Sequence, residues 1–345
     1  MKPIKNQSKL TFVIPAVVMF LISLSGCSKK PIDSENLNIS ANDKNAASTS
    51  AITVNVKTDY GAVGNGIADD TDNFNAAITA VHNAGGGSVY VPVGTYLIDP
   101  DVSINMKSNV LLDMVDSLRI IKVKPTSSER YNVIRIHNRT NSRVKGGKIL
   151  GERYSHIGTT GEWGMGIGIY NSTNCRVDRT VITNCWGDGI AVGSSDKYSA
   201  IGQSVNCVVK EVRSRNNRRQ GLTIGAVDSL IVSYCKFMST NGAAPEAGID
   251  IEPDNLPATR IHIQNCEIAY NDRSGVLMVK NTDPSSLISQ VTVEGNNIHH
   301  NGTWSGEFTR TDRVKFYWNL IQNNGQNNAF KITDCTNMVT TPNSY

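Results

Sequence analysis

The chain has 345 residues, enough for one large elongated domain or two ordinary ones. Aromatic residues are sparse at 6% while glycines number 29, a balance that disfavours a helical bundle and suits repetitive β-structure with tight turns. The formal net charge is +4, and Lys2, Lys5 and Lys9 supply three of it, leaving 4 − 3 = +1 on the rest, so charge gives no ground for a nucleic-acid partner.

The N-terminus has the three parts of an export signal. Lys2, Lys5 and Lys9 are its basic region, and residues 10–24 form an apolar run of about 15 residues, short of the roughly 20 that a spanning helix needs. Leu24-Ser25-Gly26-Cys27 then resembles a lipobox, which implies acylation of Cys27. Residues 1–26 are therefore expected to be a lipoprotein signal peptide, and residues 27–51 a polar, flexible tether rich in Ser, Asn, Asp and Lys. A lipid-anchored monomer is expected, on the outer membrane or cell surface of a bacterium.

The body, residues 52–345, opens with Asp59-Tyr60-Gly61-Ala62-Val63-Gly64-Asn65-Gly66 and Asp69-Asp70-Thr71. Phe74, Ile78 and Val81 recur at i, i+4 and i+7, which predicts a helix over 71–84 with Asp70 as its N-cap and Gly85-Gly86-Gly87 as its stop. Two short strands follow around Pro92 and Gly94. This block of about 40 residues resembles the start of the pectate lyase-like right-handed parallel β-helix superfamily, in which a short helix caps the first coil. The resemblance implies an all-β fold, a single solenoid, and leaves the reaction open, since lyases, hydrolases, epimerases and tailspikes share it.

Beyond residue 130 the chain repeats. One strand recurs at Gly166, Gly189, Gly221, Gly248 and Gly275, at spacings of 23, 32, 27 and 27 residues. A second recurs at Val177, Val209, Val232, Ile263, Val293 and Phe316, each followed by a turn and a further apolar residue: Ile182, Val212, Phe237, Ile268, Ile298 and Ile321. Such short repeats leave no room for a crossover helix and describe coils stacked about 4.8 Å apart. At the turn, Thr180, Val212, Cys235, Cys266, Asn296 and Asn319 form a column. Cys235 and Cys266 are read there as buried thiols in preference to a disulfide.

Alternation along the first strand places Gly168, Ala191, Thr223, Asp250 and Leu277 in one outward column and Tyr170, Gly193, Gly225, Glu252 and Val279 in the next. Asp250 and Glu252 then share one outward face, Asp254 follows, and small neighbours are expected to leave a groove in which a sugar lies. These three are the candidate catalytic residues. Paired carboxylates suit glycoside hydrolysis, with Glu252 as acid and Asp250 or Asp254 as base. They equally suit Ca²⁺, the cofactor that a lyase would need. Asp188 also precedes one strand, and Arg219, Glu246 and Arg273 stack in register as plus, minus, plus. That set reads either as a structural salt-bridge ladder or as a grip on a sugar carboxylate or sulfate. Lys280 rims the groove, and Trp163, in a long loop from 151 to 164, is a candidate stacking platform, as is Trp186. His299 and His300 lack metal-ligand spacing.

The polygalacturonase signature is absent, and Asp283-Pro284 is followed by Ser285 where mannuronan epimerases carry Asp-Pro-His. Glu252-Pro253-Asp254-Asn255 resembles the catalytic Glu-x-Asp followed by Asn of iota-carrageenases. The expected function is a carbohydrate-active enzyme cleaving an acidic polysaccharide, hydrolysis favoured. The alternatives are a Ca²⁺-dependent polysaccharide lyase and a non-catalytic glycan-binding solenoid.

Overall fold

A computed structural model describes residues 51–344. The expected signal peptide, Cys27 and nearly all of the tether lie outside the described residues. The strands of the body pair only in parallel within three sheets, of 10, 10 and 9 strands, and after a first turn in which the helix stands in for the third strand, successive turns of the chain visit the three sheets in order. One coil runs through Leu222–Ile224, Val227–Ser233 and Lys236–Met238 before re-entering the first sheet at Ile249–Ile251. We call these sheets I, II and III in that order. The fold is all-β, a right-handed parallel β-helix.

The sequence reading recognised two strands per coil, and the third was hidden in the turns. Strands of sheet III such as Arg213–Arg215 and Lys236–Met238 have three residues, so each points only its middle side chain inward. In the coil at 213 that residue is Ser214, in register with Ile182 and Phe237, and not Val212 as the apolar pattern suggested. Val212 is itself fully buried one turn earlier.

The interior is columnar. Ile104, Ile134, Ile167, Ile190, Leu222, Ile249 and Val276 follow one another in sheet I, all with no exposed surface. The helix spans Thr71–Asn83 and buries Phe74, Ile78 and Val81 as predicted. Asp70 does not cap it. Its carboxylate turns back to accept the Val63 and Gly64 N–H groups at 2.6 and 3.0 Å, while Asp69 Oδ1 accepts from the Thr71 N–H at 3.0 Å.

Turn residues stack as well. The column from Thr180 to Asn319 falls in the expected register: the Cys235 N–H points at Cys266 Sγ, the Cys266 N–H donates to Asn296 Oδ1 at 2.8 Å, and the Asn296 N–H donates to Asn319 Oδ1 at 3.0 Å. The six cysteines of the described residues are free thiols. A second asparagine ladder, unrecognised in the sequence, runs through Asn271, Asn301 and Asn324. Asn271 Oδ1 accepts the N–H and hydroxyl of Thr240, and its Nδ2 donates to the Phe237 carbonyl at 3.2 Å. Asn271→Ala strands the Thr240 N–H in a dry turn, so we expect a loss of about 1–3 kcal/mol of stability. Chemical denaturation measures it, and a loss below the error of the extrapolation would mean that water replaces the amide.

Candidate functional site

The outward columns of sheet I lie in the predicted register. Gly168, Ala191, Thr223, Asp250 and Leu277 are successive partners, and Tyr170 pairs with Gly193. Pointing outward does not here mean facing water. Asp250 has no exposed surface and Ala191 only 4%. Residues 194–203 fold back over the sheet, so that Ala200, Tyr198, Trp163 and Met165 pack on Tyr170 and Ala191 in an apolar cluster separate from the core. The floor expected to be open is therefore covered at its Ala191 end.

A cluster of acids surrounds one cation. Arg219 Nη1 lies 3.2 Å from Asp188 Oδ2, its Nη2 3.8 Å from Glu252 Oε2, and its Nε 3.9 Å from Glu162 Oε1. Thr223 donates to Asp188 Oδ2 at 2.6 Å and also contacts Gln220 Oε1, while Gln220 Nε2 donates to Asp250 Oδ2 at 2.6 Å. Asp188 and Asp250 each keep one buried oxygen without a protein partner.

Electrostatics separate these carboxyls. Burial pushes Asp250 well above the usual carboxylate range, and the nearby Glu252 charge adds to this against the pull of Arg219. Burial also raises Asp188, opposed by Arg219 and Thr223. Glu252 is raised by burial too, opposed by Arg219 and reinforced by Asp254. Its side chain nevertheless keeps 44% of its surface exposed. Asp254 is exposed, and its backbone carbonyl accepts from Asn281. Solvent thus reaches Glu252 and Asp254, whereas Asp250 and Asp188 lie beneath.

The stacked set Arg219, Glu246 and Arg273 does not form. Glu246 turns back to accept the Gly242 N–H at 2.7 Å, Arg273 is exposed, and Arg219 is taken by Asp188. The turn between Met238 and Ile249 breaks the register that the strand spacing implied. Lys280 Nζ donates to the Asp283 carbonyl at 3.0 Å, which ties it into its own loop. Trp163 belongs to the strand Trp163–Tyr170 rather than to a loop, and Arg130 lies over its ring at 4.2 Å.

Two polar clusters were not recognised in the sequence. In the first, buried Glu152 bonds Tyr131 and, at 2.9 Å, His156, whose ring stacks on Trp186 with 3.9 Å between centroids. Arg218 covers the other half of that stack, 3.8 Å from the Trp186 centroid. This fastens residues 151–162 to the coil and so places Glu162 beside Arg219. In the second, His137 packs on Tyr170 and Tyr198, each 4.8 Å away, with Arg135 over Tyr198. Burial and neighbouring arginines lower His137 to about 3. No periodic signal announces either cluster, because each joins a strand to an irregular loop.

Residues 53–115 match the family model described as Rhamnogalacturonase A/epimerase, pectate lyase-like. Uncharacterized protein YclG of Bacillus subtilis is 31% identical over 218 residues, 56% of this chain and 37% of that protein. Mannuronan C5-epimerase AlgE1 of Azotobacter vinelandii is 49% identical over 61 residues, 16% of this chain and 4% of the epimerase. The chain thus spans less than half the length of these curated relatives. Among solved structures, the A-module of the A. vinelandii mannuronan C-5 epimerase AlgE4 superposes with a TM-score of 0.59 at 21% identity, covering 79% of this chain and 78% of the module. A tailspike double mutant of E. coli bacteriophage HK620, in complex with a pentasaccharide, gives 0.56 at 15% identity, covering 77% and 56%. Residues 53–115 therefore match a pectate lyase-like family model, and the described residues fold as a right-handed parallel β-helix.

Proposed function

We propose that the chain is a glycoside hydrolase acting on an acidic polysaccharide, with Glu252 as general acid and Asp254 as its partner carboxylate. The observation that carries this reading is the excess of acid over base around Arg219. Glu162, Asp188, Asp250 and Glu252 crowd around one guanidinium, and burial raises Asp188, Asp250 and Glu252 above the usual carboxylate range. Glu252 is the member that is both raised and open to solvent, as a proton donor to a leaving oxygen must be. It protonates the glycosidic oxygen as the bond to the anomeric carbon breaks. Asp254 takes the proton of the water that adds to that carbon. Asp250 acts as a positioning residue, since it is sealed from any sugar and its hydrogen bond to Glu252 opposes the upward push of burial on that side chain. The likeness of a 61-residue stretch to a mannuronan epimerase supports a uronate polymer as substrate, as do Arg130, Arg135 and Lys197 around Tyr198.

Calcium fits this cluster poorly, because the Arg219 guanidinium already stands among the carboxylates and would repel a dication. Lyase chemistry has one observation in its favour, the Tyr170, Tyr198 and His137 cluster on the same sheet. There, however, both tyrosines are pushed up by burial and His137 is pushed down, which keeps the phenols protonated and leaves the imidazole a weak base near neutral pH.

The experiment is a panel of acidic polysaccharides, assayed for reducing ends and for the ultraviolet absorbance of an unsaturated uronate, with and without a chelator. We expect reducing ends without absorbance, unchanged by the chelator. Absorbance that the chelator abolishes would replace the hydrolase with a lyase, and binding without new ends would leave a glycan-binding solenoid.

A further inference from the structure

The outer face of sheet III carries a second feature, which the acid cluster does not use. Ile120, Lys148, Val181, Arg213 and Lys236 are successive in-register partners in the strands Arg119–Val123, Lys148–Leu150, Val181–Thr183, Arg213–Arg215 and Lys236–Met238. With Arg215 they line a groove of ≈ 550 Å³. Four strand steps make it about 19 Å long, parallel to the solenoid axis. No carboxylate lines it. Lys236 is held by Glu267 at 2.5 Å, but among the described residues no acid lies within 4.0 Å of Lys148, Arg213 or Arg215. The arginines are exposed, and the middle residue of their strand, Ser214, points inward to bond the Gly221 carbonyl at 2.8 Å. Two guanidinium groups on neighbouring outward positions, with an ammonium two coils away, raise the local potential, and no ion pair among the described residues offsets these three.

We infer that this groove is a second binding site, which holds an extended polyanionic glycan along the solenoid axis, apart from the acid cluster. Three observations choose a glycan among polyanions. The groove is concave, which suits a chain better than a flat anionic membrane. No aromatic ring lines it, so it lacks the stacking platforms with which single-stranded nucleic acid is bound. Its floor is the outer face of a fully paired sheet, which offers no free strand edge for an acidic peptide to extend. The apolar patches of Ile120 and Val181 between the cations suit the carbon faces of sugar rings, while forked guanidinium groups suit carboxylate or sulfate. The coil that presents Arg213 and Arg215 here presents Arg219 to the acid cluster, so a polymer held in the groove is kept at high local concentration beside that site. The choice of a uronate as ligand rests on the hydrolase reading, whereas the existence of the site does not.

The test is affinity electrophoresis and calorimetry of the full chain with polygalacturonate, with dextran as neutral control and oligothymidylate as nucleic-acid control. The variant is Arg213→Gln/Arg215→Gln, compared with Glu252→Gln. We expect the double variant to weaken polygalacturonate binding by about 10- to 100-fold, from the loss of two charge-assisted contacts. Glu252→Gln should leave that affinity unchanged, and dextran should not bind. Turnover on short oligosaccharides should survive the double variant, with only the KM for polymer rising. Unchanged polygalacturonate affinity in a folded double variant would overturn the inference, as would equal retention by oligothymidylate or loss of binding in Glu252→Gln alone. A chain that binds polygalacturonate through these arginines yet cleaves nothing would refute the hydrolase and keep the groove.

Discussion

Glu252→Gln lowers turnover by about 10²- to 10⁴-fold, the usual worth of general acid–base catalysis. The amide keeps the shape of the side chain and the approach to Arg219, but it has no proton to give a leaving oxygen. With 44% of the side chain exposed, the melting curve should barely move. The pH profile separates this role from a structural one. In the parent, the rate falls on the alkaline side as Glu252 ionises, at a pH above the ordinary glutamate value because its folded environment raises it. The variant keeps a small residual rate without that limb. An unchanged rate would remove Glu252 from the mechanism, and a collapsed melting temperature would make its role structural.

Arg219→Met has the larger effect on stability. Asp188 and Asp250 are fully buried, and Arg219 is the cation that draws both of them down. Removing it leaves two sealed carboxyls without a counter-charge, at a cost of about 3–5 kcal/mol. The cost depends on pH in a definite direction. Both acids have folded values raised above their unfolded ones, so the native state holds their protons more tightly than the unfolded chain does. Their contribution to stability is complete below the ordinary carboxylate range and is lost as pH rises through the raised folded values. Without Arg219 those values rise further. The gap in melting temperature between parent and variant is therefore narrow near the carboxylate range and widens towards neutral pH. A gap that stays constant would mean that Arg219 acts through packing alone.

What the sequence made legible follows from periodicity. The glycine-led strands and the turn column repeat with few choices of register, so Thr223, Asp250 and Leu277 could be aligned without coordinates, and the turn ladder through Cys266 and Asn296 likewise. The third strand of each coil escaped notice because three residues with one inward side chain carry no alternation, and Ser214 carries no hydrophobic signal. The candidate site was legible as a location but not as an environment. Alternation gives the face of Asp250 but not what covers it, and residues 194–203 and Gln220 are set by loop packing. The partner of Arg219 was misassigned for the same reason. Asp188 reaches it across adjacent coils, while Glu246 sits in a turn whose length breaks the register. Trp186 is legible as a stacking platform, but only the folded segment 151–162 reveals that its partner is His156.

The stacked thiols have a consequence for how the molecule can be observed. Burial raises Cys175 to about 11 and Cys207 to about 12, so in the intact solenoid neither offers an appreciable thiolate to an alkylating agent near neutral pH. Reagent can reach them only when the coils that hold them part. Cys175, Cys185 and Cys207 report on one stretch, Cys235 and Cys266 on the next, and half-buried Cys335 on the last coil. The six thus form a row of local clocks, spaced along the axis by the protein itself. Their order of labelling would show whether the solenoid frays from one end or opens as a unit.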